Sequence, residues 1–184
     1  MVGLHLDAPL VHHPRRDAAG FLESRWTCAL VNNMPDGSFV QTERQFLDLL
    51  DIGSGTVDLD VRLYTGAGVP RGEATAVHIA ERYAPWSELF DHPPDVLIVT
   101  GANPLERAIE DEPFWADLVH LLTWASKNVP SMLLSCLSAH AALKVFDGIG
   151  RDRLPSKCAG VFVQEADRGN TLTAGLGPAI VLPH

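Results

Sequence analysis

The chain has 184 residues, 46% of them hydrophobic and 20% charged, with 14 Lys and Arg against 23 Asp and Glu and a formal net charge of −9. That length and apolar content suit one domain that buries a core without staples, and exclude a disordered chain. No stretch approaches the roughly 18 apolar residues of a membrane span, and the scattered basic residues argue against nucleic acid, which needs a clustered basic face.

Residues 1–25 show no hydrophobic period and carry Pro9, Pro14, Arg15 and Arg16, so they read as an irregular arm. The arm has no apolar h-region behind a basic start, so a signal peptide is not expected there. Its His12 and His13 are adjacent, and an adjacent pair cannot clamp one metal ion without distant partners. Residues 27–31 form a short apolar run that ends in Asn32-Asn33-Met34-Pro35-Asp36-Gly37, a strand followed by a turn cluster. Phe39, Phe46, Leu47 and Leu50 recur at helical spacing, and this helix stops near Gly53. Val57, Leu59, Val61 and Leu63 alternate with Asp58, Asp60 and Arg62, the pattern of an edge strand with one polar face. A glycine-containing connection over 65–69 leads to a short helix over 73–83, which ends before Pro85.

Residues 95–100, DVLIVT, are a continuous apolar run between Pro94 and Gly101, as in a central parallel strand. Trp115, Leu118, Val119, Leu122 and Ala125 then share one helical face. Residues 132–135 read as another buried strand. It runs straight into Cys136 and a helix from Leu137 to about Phe146, closed by Gly148 and Gly150. Residues 161–163 and 172–174 are the remaining strand candidates. Strands alternate with helices, so the expected class is α/β with a mainly parallel sheet. No repeat, low-complexity tract or linker divides the chain.

In open α/β sheets, ligands bind beyond the carboxyl ends of the strands. Cys136 lies between a buried strand and a helix start, the position of a nucleophile elbow. There the thiol projects above the sheet and the helix N-terminus favours negative charge on it. The N–H of Leu137 is one candidate oxyanion donor, and the Gly101-Ala102 loop is the candidate source of another, since glycine lets backbone approach a ligand closely. The competing reading is a small buried cysteine that packs as a hydrophobe. Cys28 falls inside a strand and reads as core. Cys158 reads as an ordinary loop residue. The odd count of three, without paired spacing, is neither a disulfide framework nor a zinc motif, and a reducing cytosol is the default compartment. His140 lies one helical turn after Cys136 and is a candidate pocket residue. His78 and His120 sit in amphipathic helices and read as surface or core. No dinucleotide fingerprint, phosphate loop, C-x-x-C or H-E-x-x-H is present, and no metal site is expected.

Three groups of residues resemble one family. The first is Ala29-Leu30-Val31-Asn32-Asn33-Met34-Pro35-Asp36 with Thr42-Glu43-Arg44-Gln45-Phe46-Leu47. The second is Leu97-Ile98-Val99-Thr100-Gly101-Ala102 with Glu112-Pro113-Phe114-Trp115 and Trp124-Ala125. The third is Ser135-Cys136-Leu137 with Ala141-Ala142-Leu143, Gly148-Ile149, Lys157 and Gly160-Val161-Phe162. In order and spacing these are similar to the homoserine O-acyltransferases of the succinyltransferase type, over roughly residue 27 to the end. The resemblance implies the fold of class I glutamine amidotransferases, a flavodoxin-like three-layer sandwich, with residues 26–184 as the acyltransferase domain. It implies transfer of an acyl group from succinyl- or acetyl-coenzyme A to the hydroxyl of L-homoserine, in methionine biosynthesis in the cytoplasm. Cys136 would carry the acyl group as a thioester. Acyl-coenzyme A would be a co-substrate rather than a bound cofactor, and a homodimer is compatible with the family.

The same resemblance makes Lys157, 21 positions after Cys136, the substrate-contacting lysine, and Leu105 the position that tunes the acyl donor. Leu105 departs from the small or acidic residue usual there, which leaves succinyl against acetyl open, as it leaves homoserine against serine. No His-x-Glu triplet follows Lys157, where the family has its base and orienting glutamate. Leu182-Pro183-His184 resembles the start of the family's Pro-His-Ser-Arg motif, so the C-terminal part is expected to be missing and turnover to be slow. Two other readings stay open: a glutamine amidotransferase-type hydrolase, although Cys136 lacks that family's flanking glycines, and a non-catalytic or redox-sensing domain of the same fold.

Overall fold

The computed structural model describes residues 25–55, 57–152, 154–156, 158–167, 169–171, 173 and 175–183. The irregular arm expected over the first 25 residues therefore lies outside the described residues, apart from Arg25. The chain divides into two compact units, Met1–Arg151 and Asp152–His184.

In the first unit, β1 (Arg25–Val31) leads through α1 (Asp36–Ser54) to β2 (Asp58–Tyr64). Helices α2 (Glu73–Arg82) and α3 (Glu88–Asp91) precede β3 (Val96–Val99), and α4 (Trp115–Asn128) joins β3 to β4 (Ser131–Leu134). Helix α5 (Leu137–Asp147) follows directly. The four strands order as β2-β1-β3-β4, and every pairing is parallel. The class is α/β with a doubly wound parallel sheet, and the chain reverses its direction of growth between β1 and β3.

Side-chain alternation builds the layers. Cys28 and Leu30 of β1, Val61 and Leu63 of β2 and Ile98 of β3 face α1 and meet its Leu47. Ala29, Val31, Leu97 and Val99 point the other way, against Leu118, Leu121, Leu122 and Ala125 of α4 and Leu137 and Ala141 of α5. Both faces of β1 and β3 are covered, which explains their unbroken apolar runs. Helix α5 ends on Gly148 in the left-handed region (φ 69°), whose N–H caps the carbonyls of Leu143 and Lys144.

Strand β2 is an edge strand, as the alternation predicts, and its polar face is covered: Asp60 and Arg62 are buried. Arg25 Nη2 lies 2.9 Å from Asp60, and Arg62 Nη1 lies 3.4 Å from Glu88 of α3. Alternation marks a face that is not apolar, and here opposite charges from two other segments cover it. The strand expected to be buried at 132–135 is β4, the edge of the described sheet. Met132 and Leu134 pack against the α4–α5 side, whereas Leu133 is 53% exposed, because among the described residues of this unit no element covers that face beside β4.

The second unit is a hairpin of β5 (Val161–Glu165) and β6 (Ala179–Pro183), paired antiparallel. The strand expected over 172–174 is not seen: Thr173 sits in a turn, while residues 172 and 174 lie outside the described residues. Within this unit β5 is exposed along its whole length.

Leu121 is fully buried under the sheet. Leu121→Ala is expected to cost about 2–5 kcal/mol in a urea titration, while Leu105→Ala, at a position that is 65% exposed, should stay within about 0.5 kcal/mol.

Candidate active site

The register brings four strand ends level: Val31 pairs with Tyr64 and with Val99, and Val99 pairs with Leu134. The ladder then continues one residue past each end. Asn32 donates its N–H to Tyr64 O (2.8 Å), Thr100 to Val31 O (2.9 Å) and Ser135 to Val99 O (2.9 Å). The loops that follow are joined by side chains. Asn33 Oδ1 accepts the Gly66 N–H at 2.9 Å, and the Asn33 N–H donates to Thr100 Oγ1 at 2.8 Å. The Thr100 hydroxyl in turn donates to Gly101 O at 3.0 Å. Asn33 and Thr100 are both buried, so this chain of bonds is shielded from water.

Cys136 sits at the end of this edge, between β4 and α5. Its φ is 59°, and among the described residues it is the one non-glycine residue in the left-handed region. That conformation costs a side-chain-bearing residue about 1–3 kcal/mol, and it turns the chain sharply from strand to helix, as an elbow requires. The residue is exposed, and among the described residues no side chain hydrogen-bonds its sulfur. Gly101 lies directly against it. A Cβ built on Gly101 would fall 2.9 Å from Cys136 Cβ, 3.0 Å from the Leu137 nitrogen and 3.1 Å from Cys136 Sγ, so only glycine fits without displacement. The structure thus groups Cys136, the Leu137 N–H and Gly101, with Ala102 next in the chain.

The loop after Gly101 carries Leu105 and is tied down at two points. Glu106 donates its N–H to Glu112 Oε1 at 2.9 Å, and Glu112 is buried. Glu110 meets Lys144 Nζ of α5 at 2.6 Å, and the hydrogen bond from Lys144 holds the Glu110 carboxyl below its ordinary range. Leu105 itself points outward, and His140, one turn along α5, is also exposed. Lys157 lies outside the described residues. Cys158 is exposed, in the second unit. Cys28 is 2% exposed in β1, and burial pushes its thiol up to about 12.

Some residues that shape this edge had no individual role in the sequence reading, although Asn33, Thr100 and Glu43 fall inside the family-like segments. Asn33, Thr100 and Ser138 are ordinary polar residues until the register sets them beside one another. Glu43 is another. It is buried in α1 and accepts from Tyr83 Oη at 3.0 Å, meets His78 Nε2 at 2.6 Å and pairs with Arg82 Nη2 at 2.9 Å. Asn32 Nδ2 lies 3.2 Å from the Tyr83 hydroxyl, which links this cluster back to the strand edge. A cleft of about 380 Å³ runs beside Glu43 and His78. His78, read as a surface or core residue, is thus a half-buried partner of Glu43. His120 stacks on Phe90 at 4.7 Å.

The sequence model of the family described as homoserine O-succinyltransferase matches residues 18–184. The chain belongs to that family. It is 41% identical over 155 residues to the homoserine O-succinyltransferase of Rhodopseudomonas palustris, a match covering 84% of this chain and 46% of that protein. With the homoserine O-succinyltransferase of Methylorubrum extorquens it shares 39% over 163 residues, 89% of this chain and 48% of that protein. With that of Bradyrhizobium japonicum it shares 36% over 159 residues, 86% and 49%. The chain therefore spans about half the length of these curated relatives. The residues grouped at the elbow, Cys136, Leu137, Gly101 and Ala102, are among the second and third groups of residues read from the sequence.

Reactivity should separate the cysteines. Iodoacetamide at pH about 8 is expected to label Cys136 and leave Cys28 unmodified in the folded protein, because a buried, protonated thiol is inert. Peptide mapping checks this; labelling of Cys28 at the rate of Cys136 would contradict the placement. Burial of Cys28 also has a pH signature. Its folded pKa, about 12, exceeds the ordinary 9.0. The associated stability is therefore complete below pH 9 and is lost as pH rises toward 12. Urea midpoints should fall over that window, and Cys28→Val should flatten the fall.

Proposed function

We infer that this domain carries the acyl-accepting half of a homoserine O-acyltransferase. The reading is supported above all by the strained, exposed Cys136 set against Gly101, in a chain of this family. In the first step the Cys136 sulfur attacks the carbonyl carbon of an acyl-coenzyme A thioester. The carbonyl oxygen takes negative charge, and the coenzyme A thiolate leaves as the carbonyl re-forms. The Leu137 N–H at the start of α5, with an N–H of the Gly101-Ala102 loop, stabilises that oxygen. One thioester replaces another, so the step is nearly balanced, and the transfer is divided into two easier halves. In the second step the hydroxyl of L-homoserine attacks the Cys136 thioester, a base takes its proton, the ester carbonyl re-forms as the carbon–sulfur bond breaks, and Cys136 leaves as the thiolate that the base's proton can then neutralise.

Acyl-coenzyme A acts here as a co-substrate, and no resident cofactor or metal enters either step. Succinyl-coenzyme A is the preferred donor on the names of the relatives. Leu105, on the loop pinned by Glu112 and Lys144, is the residue that tunes that choice, and Lys157 contacts substrate. His140 lines the approach to the sulfur. The second step draws on a base that no His-x-Glu after residue 157 supplies in these 184 residues. The reaction belongs to methionine biosynthesis, and its setting is the cytoplasm. Among the described residues no helix is long and apolar enough to cross a membrane.

Incubation with succinyl- or acetyl-coenzyme A, followed by intact-mass and peptide analysis, tests the first step. The expected result is an acyl adduct on Cys136 that Cys136→Ala abolishes, with slow transfer to homoserine. No adduct from either donor would sink the proposal. Gly101→Ala should lower acylation at least tenfold while labelling by iodoacetamide persists, since its Cβ intrudes between the loop and the elbow.

A further inference from the structure

Ser138, the second residue of α5, is 1% exposed and has no part in the two steps above. A helical serine that is not the N-cap can turn its hydroxyl back to a carbonyl three or four residues earlier, and Ser138, two residues after the N-cap Cys136, does so. Its Oγ lies 2.8 Å from Val99 O and 2.9 Å from Ser135 O. A hydroxyl carries one hydrogen, so Ser138 shares it between the last carbonyl of β3 and the carbonyl preceding Cys136. Val99 O already accepts the Ser135 N–H at 2.9 Å, and the Ser138 hydroxyl supplies a second donor to the same oxygen. Two residues beyond Val99 is Gly101; one residue beyond Ser135 is Cys136.

We propose that Ser138 is a positioning residue that fixes the Gly101 loop against the Cys136 elbow, and so sets the oxyanion donors relative to the sulfur. The physical need is specific to this site. Cys136 is held in an unfavourable backbone conformation, which persists only where the surroundings over-determine it. The ladder past the strand ends restrains β3 against β4 through one bond, Ser135 N–H to Val99 O. Ser138 adds a side-chain strut from the helix to both strand ends, in a dry place where such a bond is strong. Because it donates to carbonyls, it leaves the N–H groups at the start of α5 free to face a ligand. Ser138 touches no reacting atom and acts through the placement of Gly101 and Leu137.

This role rests on the acyl-transfer reading, and the experiment separates the two. Acylation needs aligned oxyanion donors, whereas alkylation by iodoacetamide is a displacement at saturated carbon and does not. Wild type, Ser138→Ala and Ser138→Thr are each treated with succinyl-coenzyme A, with p-nitrophenyl acetate and with iodoacetamide. Rates are read at Cys136 by mass spectrometry, and thermal melting checks the fold. Ser138→Ala should fold, since alanine favours a helix. It is expected to acylate about tenfold more slowly from both acyl donors, alkylate within about twofold of wild type, and recover in Ser138→Thr. Equal acylation in wild type and Ser138→Ala would overturn the positioning role and leave acyl transfer standing. A parallel loss of acylation and alkylation would reduce Ser138 to a general structural residue and also overturn it. Failure of wild type to acylate from either donor would overturn the acyl-transfer reading, and this role with it.

Discussion

The hydrogen-bond ladder that runs one residue past the carboxyl ends of the strands is the constraint on which the site depends. Asn32, Thr100 and Ser135 each donate an N–H back to the neighbouring strand's last residue. Without those bonds the strands would end level while the loops after them diverged. With them, the loops after β1, β3 and β4 start from shared positions, and Asn33 joins the loop after β1 to those after β2 and β3. Strands β1 and β3, covered on both faces, are stiff, and their stiffness passes into the loops.

That stiffness allows Cys136 to keep a backbone conformation that an isolated chain would abandon. Strand β3 supplies Gly101, whose missing side chain leaves room for the cysteine. Strand β4 supplies the residue before the turn, and α5 supplies the N–H groups after it. No single element makes the site. Cys136 is exposed while Thr100, Leu137 and Ser138 are buried, which sets an exposed side chain on a rigid platform.

Buried charge recurs away from the elbow and has a different purpose. Glu43 collects donors from α2 and the residue just after it, and Arg62 meets Glu88. The first joins α1 to α2 and the second joins β2 to α3, each by partnering a group that would be costly to bury alone. Arg71 does the same for the loop before α1: its guanidinium donates to the carbonyls of Met34 and Asn32 and to Thr65 Oγ1 and lies over the Phe39 ring at 4.3 Å. These clusters orient the outer elements about the same strand edge.

The sequence by itself determined the α/β class, the central strands, the helix faces and the elbow position of Cys136. Each of these is written in local hydrophobic period or in the strand-to-helix junction at Ser135-Cys136-Leu137. It did not determine which polar residues would be buried. Alternation reports only that Asp60 and Arg62 share a polar face, and the partners that bury them, Arg25 and Glu88, come from distant segments. Nor did it separate β4 from a fully buried strand, since an edge is defined by the absence of a neighbour and leaves no mark in four residues. Ser138 had no signature at all. Its meaning comes from Val99, 39 residues earlier, and only the parallel register, which is a relation between strands and not a property of any one of them, brings the two within reach.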